Sequence, residues 1–437
     1  MHSTASSPWQ PDPRWADPLI ALLLTLTCLV AGLTLRARAR MATRPSEQVS
    51  LQGRLLEVAL MGPEVFLGRA SAWERSLPQA DPWDHALLTL LRREGIAGAP
   101  WQSPFPVPSG QGREALLRVI RAAYEGGPLP SAADRAEVHR RLGHGYGADL
   151  LEARLQDRQG DGTLLRTQAR QRLAHRLILL GALGLAVLGL ALGGLGMGIA
   201  LLLWPRLPSS PWPTWGLSGR AATLIFLIWF LAFFAAGNLA GLLLWPWPSL
   251  RWVALPLGYL LHAALGLRLI TWAEGLSVKE LWLRVAPGKS GKDLAWGAGF
   301  LALAVSLVLV AAMVSGQVFH PEQHPQRELQ ELLQGLRGWP ATLALFFTVA
   351  GLAPCFEELF FRGFLLPVLA REGRLKMALL GSALLFGAIH LQPAGLITLA
   401  TLGWALGLAF RHTGSLRTPI LVHACWNGTL FLLLRFF

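Results

Sequence analysis

Long apolar segments, separated from one another by short polar turns, dominate the first forty residues and the last two hundred and sixty of the chain. Most of them reach the roughly 20 residues that a helix needs to cross about 30 Å of hydrocarbon. Lipid favours helices because a helix satisfies its own backbone hydrogen bonds. The pattern predicts an all-α polytopic membrane protein with about eight or nine transmembrane helices. The predicted helices are 18–35, 177–204, 221–245, 252–270, 294–315, 340–361, 375–389, 394–410 and 416–434.

The composition agrees with a membrane protein. Hydrophobic residues make up 53% of the 437 residues and charged residues only 15%, whereas soluble domains carry about 25% charged residues. The net charge of +13 does not indicate nucleic-acid binding, because the arginines cluster beside apolar segments, where they meet anionic lipid headgroups. We therefore expect the lipid bilayer, and no nucleic acid, as a partner. Cys28, Cys355 and Cys425 all fall inside apolar segments, so we expect neither a disulfide framework nor a cysteine-based zinc site.

Residues 41–175 differ from the rest of the chain. They carry charges throughout, and their apolar residues recur at intervals of three and four, which predicts a small, mainly helical soluble domain of unknown role. Residues 1–40 precede it as a membrane anchor, because arginines rather than a signal-peptide cleavage site follow the apolar segment. We divide the remainder into a membrane helix with a connecting loop, 176–220, and a membrane-embedded core, 221–437.

Two adjacent acidic residues, Glu357 and Glu358, lie in an otherwise apolar segment. An ionisable side chain inside a bilayer costs several kcal/mol and therefore needs compensation. Glu358 and Arg362 are spaced i, i+4, so they share one face of a helix and can neutralise each other. Glu357 points about 100° away around the helix. It has no partner in its own helix, so it either takes up a proton or meets a cation or a metal from elsewhere.

Candidate partners for Glu357 occur in two later segments. Phe386 and His390 are spaced i, i+4 in one of them, and His423 and Asn427 have the same spacing in another. At about 1.5 Å per residue, Glu357 and His390 lie at matching depths on either side of a basic turn, and His423 and Asn427 lie a turn or two shallower. We expect one pocket to hold the four polar side chains, with Phe386 packed beside it as a core aromatic residue.

This set of side chains suits the hydrolysis of a peptide bond. A carboxylate and two imidazoles can bind a divalent metal such as Zn²⁺ and leave a coordination position for water. A carboxylate can also carry the proton from the attacking water to the leaving amine, and an Asn amide and a second imidazole can donate to the oxyanion. Glu357, His390 and His423 are therefore the candidate ligands of a divalent metal, with zinc the expected one.

The motifs Glu-Glu-x-x-x-Arg, Phe-x-x-x-His and His-x-x-x-Asn, in this order on three late membrane helices, resemble those of the CPBP (Abi) family. That family includes the type II CAAX prenyl proteases and bacterial relatives linked to bacteriocin processing and self-immunity. The resemblance covers roughly residues 220–437, and it includes the loop 275–284, which is typical of the family's members.

The resemblance implies an intramembrane endopeptidase, often proposed to be metal-dependent, that acts on a peptide or protein substrate at the membrane. It also implies a multi-pass location, which we expect to be a bacterial inner membrane. The implied roles are water activation for Glu357 and His390, oxyanion stabilisation for His423 and Asn427, and a structural ion pair for Glu358 and Arg362.

Other interpretations of these residues stay open. The polar side chains could serve only to specify helix packing in a non-catalytic immunity or scaffold protein. Glu357 could instead be the proton site of a transporter, although the paired repeats of transporters are not evident. Among peptidases, a zincin is disfavoured because the chain has no His-Glu-x-x-His motif. We interpret His320, Glu322 and His324 as part of a solvated loop rather than as a surface metal site.

Overall fold

The computed structural model describes most of the chain, and every regular element within the described residues is helical. The predicted all-α membrane fold is confirmed. The described residues are 8–42, 82–95, 112–143, 145–158, 160, 162–203, 213–287, 290–318, 333, 338–371 and 374–436. The loop that carries His320, Glu322 and His324 lies outside them, as do parts of the predicted soluble domain.

The chain forms two compact units. One unit comprises Met1–Ala39 together with Val187–Phe436, and the other comprises Arg40–Ala186. The helices of the chain, in order, are α1 (Pro13–Ala42), α2 (Pro82–Gly95), α3 (Arg113–Tyr124), α4 (Ala132–Leu142), α5 (Tyr146–Asp157), α6 (Gly162–Leu203), α7 (Gly219–Leu243), α8 (Ala254–Glu274), α9 (Val278–Val285), α10 (Ser290–Val318), α11 (Trp339–Leu369), α12 (Leu375–Ala388), α13 (Leu396–Thr413) and α14 (Arg417–Phe436).

The smaller unit is built on the apolar faces of α2 to α5. In α3, apolar residues at intervals of three and four put Leu116, Val119 and Ile120 on one buried face, as an amphipathic helix requires. The helix α4 begins with a capping box, in which the Ser131 side chain accepts from the Asp134 N–H and the Asp134 side chain accepts from the Ser131 N–H. These local features account for helices in a segment with few long apolar runs.

Seven helices among the described residues are long and apolar enough to cross a membrane. They are Pro13–Ala37, Gln171–Leu203, Gly219–Leu243, Ala254–Glu274, Gly291–Val318, Trp339–Leu369 and Pro393–Thr413. Two further predicted helices fall outside this set. The helix α12 is apolar but has only 14 residues, and α14, with 20 residues, carries two arginines, a histidine and an asparagine that lower its hydropathy.

The helix α11 is widened by two π-helical turns. Thr348–Leu352 and Leu359–Leu365 are π-helical and lie on either side of the α-helical stretch Ala353–Glu358. Proline contributes to the distortion because it has no N–H to donate within the helix. Pro354 leaves Val349 O without the i+5 donor of a π-turn, and Pro367 leaves Gly363 O without its i+4 donor.

Side chains from other elements supply the missing donors. Asn427 Nδ2 in α14 donates to Val349 O at 3.0 Å, and Trp215 Nε1 donates to Gly363 O at 3.0 Å. A buried carbonyl without a donor is costly. The two prolines of α11 therefore tie this helix to α14 and to the segment before α7.

The helix α13 approaches α12 closely at a glycine. A Cβ atom on Gly403 would lie 3.1 Å from Phe386 Cδ1 and 3.3 Å from Ala383 Cα. The Phe386 ring is fully buried, so it cannot move into open space. Because Gly403 has no Cβ atom, α12 and α13 can come into contact at this position.

We predict that Gly403→Val lowers the melting temperature of the protein in detergent. Overpacking of a filled core costs about 1–3 kcal/mol, and here the added methyl groups meet Phe386 and the α12 backbone. The matched control is Gly381→Val in α12, where a Cβ would have nothing within 4 Å. Equal melting temperatures of the two variants would contradict the close approach.

Candidate active site

Glu358 and Arg362 in α11 form a fully enclosed ion pair. Arg362 Nη1 donates to Glu358 Oε1 at 2.7 Å, and both side chains have 0% exposure. Arg362 Nη2 donates to the backbone oxygen of Gly403 at 2.8 Å, and the guanidinium carbon lies 4.4 Å from the centre of the Phe386 ring. The i, i+4 spacing predicted the pair, while its link to α13 follows from the tertiary fold.

His423 in α14 is the second partner of Glu358. Its Nδ1 lies 2.9 Å from Glu358 Oε1, so Nδ1 carries the proton and donates to the carboxylate. In the neutral ring, Nε2 then carries the lone pair. That atom faces Glu357, with 4.0 Å between His423 Nε2 and Glu357 Oε2. The sequence placed His423 near Glu357 but did not indicate its bond to Glu358.

His390 lies two residues beyond the end of α12. Its Nδ1 is 2.7 Å from Phe386 O, and because a carbonyl only accepts, Nδ1 carries the hydrogen and Nε2 the lone pair. The chain then turns sharply at Leu391, whose φ of 51° lies in the left-handed region, an unusual conformation for a branched residue. Such strained residues cluster at functional sites.

The Phe386 ring brings the two histidines together. It is 5.1 Å from the His390 ring and 5.6 Å from the His423 ring, centre to centre. Asn427 lies one turn beyond His423 in α14, and one of its two amide hydrogens is used by Val349 O. Its second amide hydrogen can serve another acceptor. The structure thus places His390 and His423 on one buried aromatic ring, and Asn427 one turn beyond His423.

Tyr259 is a site residue that the sequence analysis missed. It lies in α8, and its hydroxyl donates to Glu357 Oε1 at 2.8 Å. The only signal in the sequence is that Tyr259 is a hydroxyl-bearing aromatic residue in an apolar segment, three residues before His262. His262 itself is buried, and its Nε2 lies 3.1 Å from Trp229 O. Nothing local to α8 indicates that Tyr259 meets a residue 98 positions later.

The predicted metal ligands do not fit a zinc ion where they lie. Among the described residues, no three His, Cys, Asp or Glu side chains form a group that could hold a metal. Two donors on a tetrahedral Zn²⁺, with bonds of about 2.0 Å, lie about 3.3 Å apart, whereas His423 Nε2 and Glu357 Oε2 are 4.0 Å apart. The described donors therefore give no support to the site expected at Glu357, His390 and His423, and elemental analysis of the purified protein is the test of the metal prediction.

Residues 339–429 match a family model described as type II CAAX prenyl endopeptidase, Rce1-like. This segment of the chain is similar to that family. The predicted resemblance to the CPBP family is thereby confirmed. We call residues 339–429 the Rce1-like segment. No similar curated protein and no similar solved structure was found.

The Rce1-like segment runs from the start of α11 into α14, and it covers roughly a fifth of the chain. Tyr259 lies outside it. The match and the apolar helices together support an integral multi-pass membrane protein with a protease-like core. The predicted site residues inside the segment are Glu357, Glu358, Arg362, Phe386, His390, His423 and Asn427.

We predict that Arg362→Met destabilises the protein more than the double change Arg362→Met with Glu358→Gln. The single change leaves a buried carboxylate without its cation, which costs about 3–5 kcal/mol, whereas removing both charges is often far less costly. Thermal unfolding in detergent measures the difference. Additive losses from the two single changes would show that the pair is not coupled.

Proposed function

We propose that this chain is an intramembrane endopeptidase that hydrolyses a peptide bond of a protein substrate, with Glu357 as the general base. The observation that carries the proposal is the arrangement of the Glu357 carboxylate, with Oε1 bonded to Tyr259 and Oε2 across from His423 Nε2 at 4.0 Å. A water molecule about 2.8 Å from both Glu357 Oε2 and His423 Nε2 fits their separation of 4.0 Å. The match of residues 339–429 to a CAAX endopeptidase family supports the same reaction class.

The proposed reaction begins with that water. Glu357 accepts a proton as the water oxygen bonds to the substrate carbonyl carbon, and the carbonyl oxygen becomes an oxyanion. Glu357 then gives the proton to the amide nitrogen, the C–N bond breaks, and an acid and an amine leave. The second amide N–H of Asn427 is our candidate donor to the oxyanion.

The histidines take part through their Nε2 atoms. The family resemblance implied an oxyanion role for His423, but its bond to Glu358 gives the neutral ring a lone pair at Nε2 rather than a hydrogen. We therefore propose that His423 helps Glu357 to hold the water. His390 keeps the water-activating role that the resemblance implied, and it would act through Nε2 because its Nδ1 donates to Phe386 O. We retain the bacterial inner membrane as the proposed location.

Glu357→Gln is the direct test. Replacing the base by an isosteric amide should lower kcat by about 10²–10⁴-fold without lowering the melting temperature. Cleavage sites can be found by labelling new protein N-termini in membranes from cells that produce the wild type or the variant. A quenched peptide built on such a site then gives kcat and KM.

The matched control for this test is Glu152→Gln, which makes the same chemical change in the smaller unit, where Glu152 pairs with Arg135 at 3.0 Å near the surface. It should cleave as the wild type does. If Glu357→Gln produced the same set of new N-termini as the wild type, the peptidase proposal would be wrong, and a role in helix packing would be favoured.

The donor spacing also predicts the outcome of a metal analysis. We expect the purified protein to hold less than one zinc per chain and to keep its cleavage activity after treatment with a chelator, because His423 Nε2 and Glu357 Oε2 lie 4.0 Å apart, farther than the roughly 3.3 Å between two donors on one tetrahedral zinc. Elemental analysis of the wild type and of the His390→Ala, His423→Ala double variant makes the measurement. One bound zinc that the double variant loses would restore the metal site expected from the sequence.

A further inference from the structure

Tyr259 reaches Glu357 from a helix outside the Rce1-like segment. Its hydroxyl has a single hydrogen, and that hydrogen is donated to Glu357 Oε1 at 2.8 Å. The same hydrogen cannot serve an oxyanion at the same time. Tyr259 is therefore suited to act through Glu357 rather than on the substrate directly.

Close helix packing fixes the position of the Tyr259 ring. The preceding residue, Gly258, lies so near α7 that a Cβ atom there would be 3.0 Å from Gly237 Cα. The Tyr259 ring, 9% exposed, stands edge-on to Phe233 at 6.4 Å and to His262 at 5.8 Å between ring centres. These contacts with α7 and with its own helix hold the hydroxyl in one place.

The packing against α11 has the same effect. Tyr259 belongs to a small apolar cluster with Ala263 and Ala353, against which Leu352 and Phe356 pack. Three of these residues come from the stretch of α11 directly before Glu357. The tyrosine ring therefore packs against the part of the α11 backbone that carries Glu357. This packing places the Tyr259 hydroxyl beside Glu357 Oε1.

The bond makes the two oxygens of Glu357 inequivalent. Oε1 is occupied by the Tyr259 hydroxyl, while Oε2 faces His423 Nε2. The side chain of Glu357 is 15% exposed, in contrast to the enclosed Glu358 at 0%, so it has room for other rotamers. A donor that holds Oε1 reduces that freedom and keeps Oε2 on the side of the histidines.

We infer that Tyr259 is a positioning residue for the proposed peptidase reaction: its hydroxyl orients Glu357 so that Oε2 presents to the water held with His423. This inference rests on the proposed function. It adds α8, which precedes the Rce1-like segment, to the machinery of the site.

The test is Tyr259→Phe, which keeps the ring and removes only the hydroxyl. On the quenched peptide, kcat should fall about 10–100-fold, as is typical for the loss of a group that orients a reacting side chain, while KM stays within about twofold because the substrate does not touch the hydroxyl. In a Glu357→Gln background the same change should have little further effect, since the two groups act as a unit. Tyr146→Phe, in the smaller unit, removes the hydroxyl of another buried tyrosine and should leave kcat unchanged.

Donor rescue separates orientation from packing, and it also serves if Tyr259→Phe does not accumulate in membranes. Para-aminophenylalanine at position 259 keeps a hydrogen-bond donor in the same place, and para-methylphenylalanine has a similar size without one. We expect the amino form to restore kcat at least tenfold relative to the methyl form. Equal kcat values for the two forms would overturn the inference.

The remaining outcomes distinguish the two proposals. If the wild type and Glu357→Gln cleave equally, the peptidase function itself is wrong. If Glu357→Gln loses cleavage but Tyr259→Phe has the kcat of the wild type, or loses activity only through KM or the melting temperature, the function stands and the role of Tyr259 is overturned.

Discussion

The enclosed carboxylate of Glu358 is the interaction on which the rest of the site depends. It accepts from Arg362 at 2.7 Å and from His423 at 2.9 Å, with no exposure of its own. A buried charge is tolerated only when its partners are well placed, so the helices that carry them have little freedom. Arg362 extends the constraint to α13 through Gly403 O. One carboxylate therefore holds three helices in register and sets the tautomer of the histidine that faces Glu357.

The prolines of α11 impose a second, independent constraint. Each removes a donor from the helix, and a side chain from elsewhere donates to a carbonyl four or five residues before it, Asn427 to Val349 O and Trp215 to Gly363 O. The widened turns would be costly if these acceptors stayed unbonded. The bond from Asn427 to Val349 O therefore links the distorted part of α11 to the helix that carries His423 and Asn427.

How much could be predicted from the sequence depended on whether a contact was local. The pairing of Glu358 with Arg362 follows from helical periodicity, and the apolar segments follow from the thickness of a bilayer. The contact between Tyr259 and Glu357 spans 98 positions, and no periodicity relates residues on separate helices. The three candidate metal ligands show a second limit of sequence analysis. Residue types and depths indicated the ligands, but the bond to Glu358 that orients His423 depends on tertiary packing. The family resemblance indicated the residues of the candidate site without describing their hydrogen bonds.

The two adjacent glutamates of α11 have different hydrogen-bond partners. Glu358 is fully enclosed and accepts from the Arg362 guanidinium and from His423 Nδ1. Glu357 is bonded instead to a neutral hydroxyl, which orients a carboxylate without placing a positive charge beside it. In the proposed reaction, Glu357 must accept a proton and release it within one turnover, so a fixed cation bonded to Glu357 would oppose the first of these steps. The two roles follow from position on α11, because Glu358 shares a helix face with Arg362 at the i, i+4 spacing, whereas Glu357 lies where the Tyr259 hydroxyl reaches it.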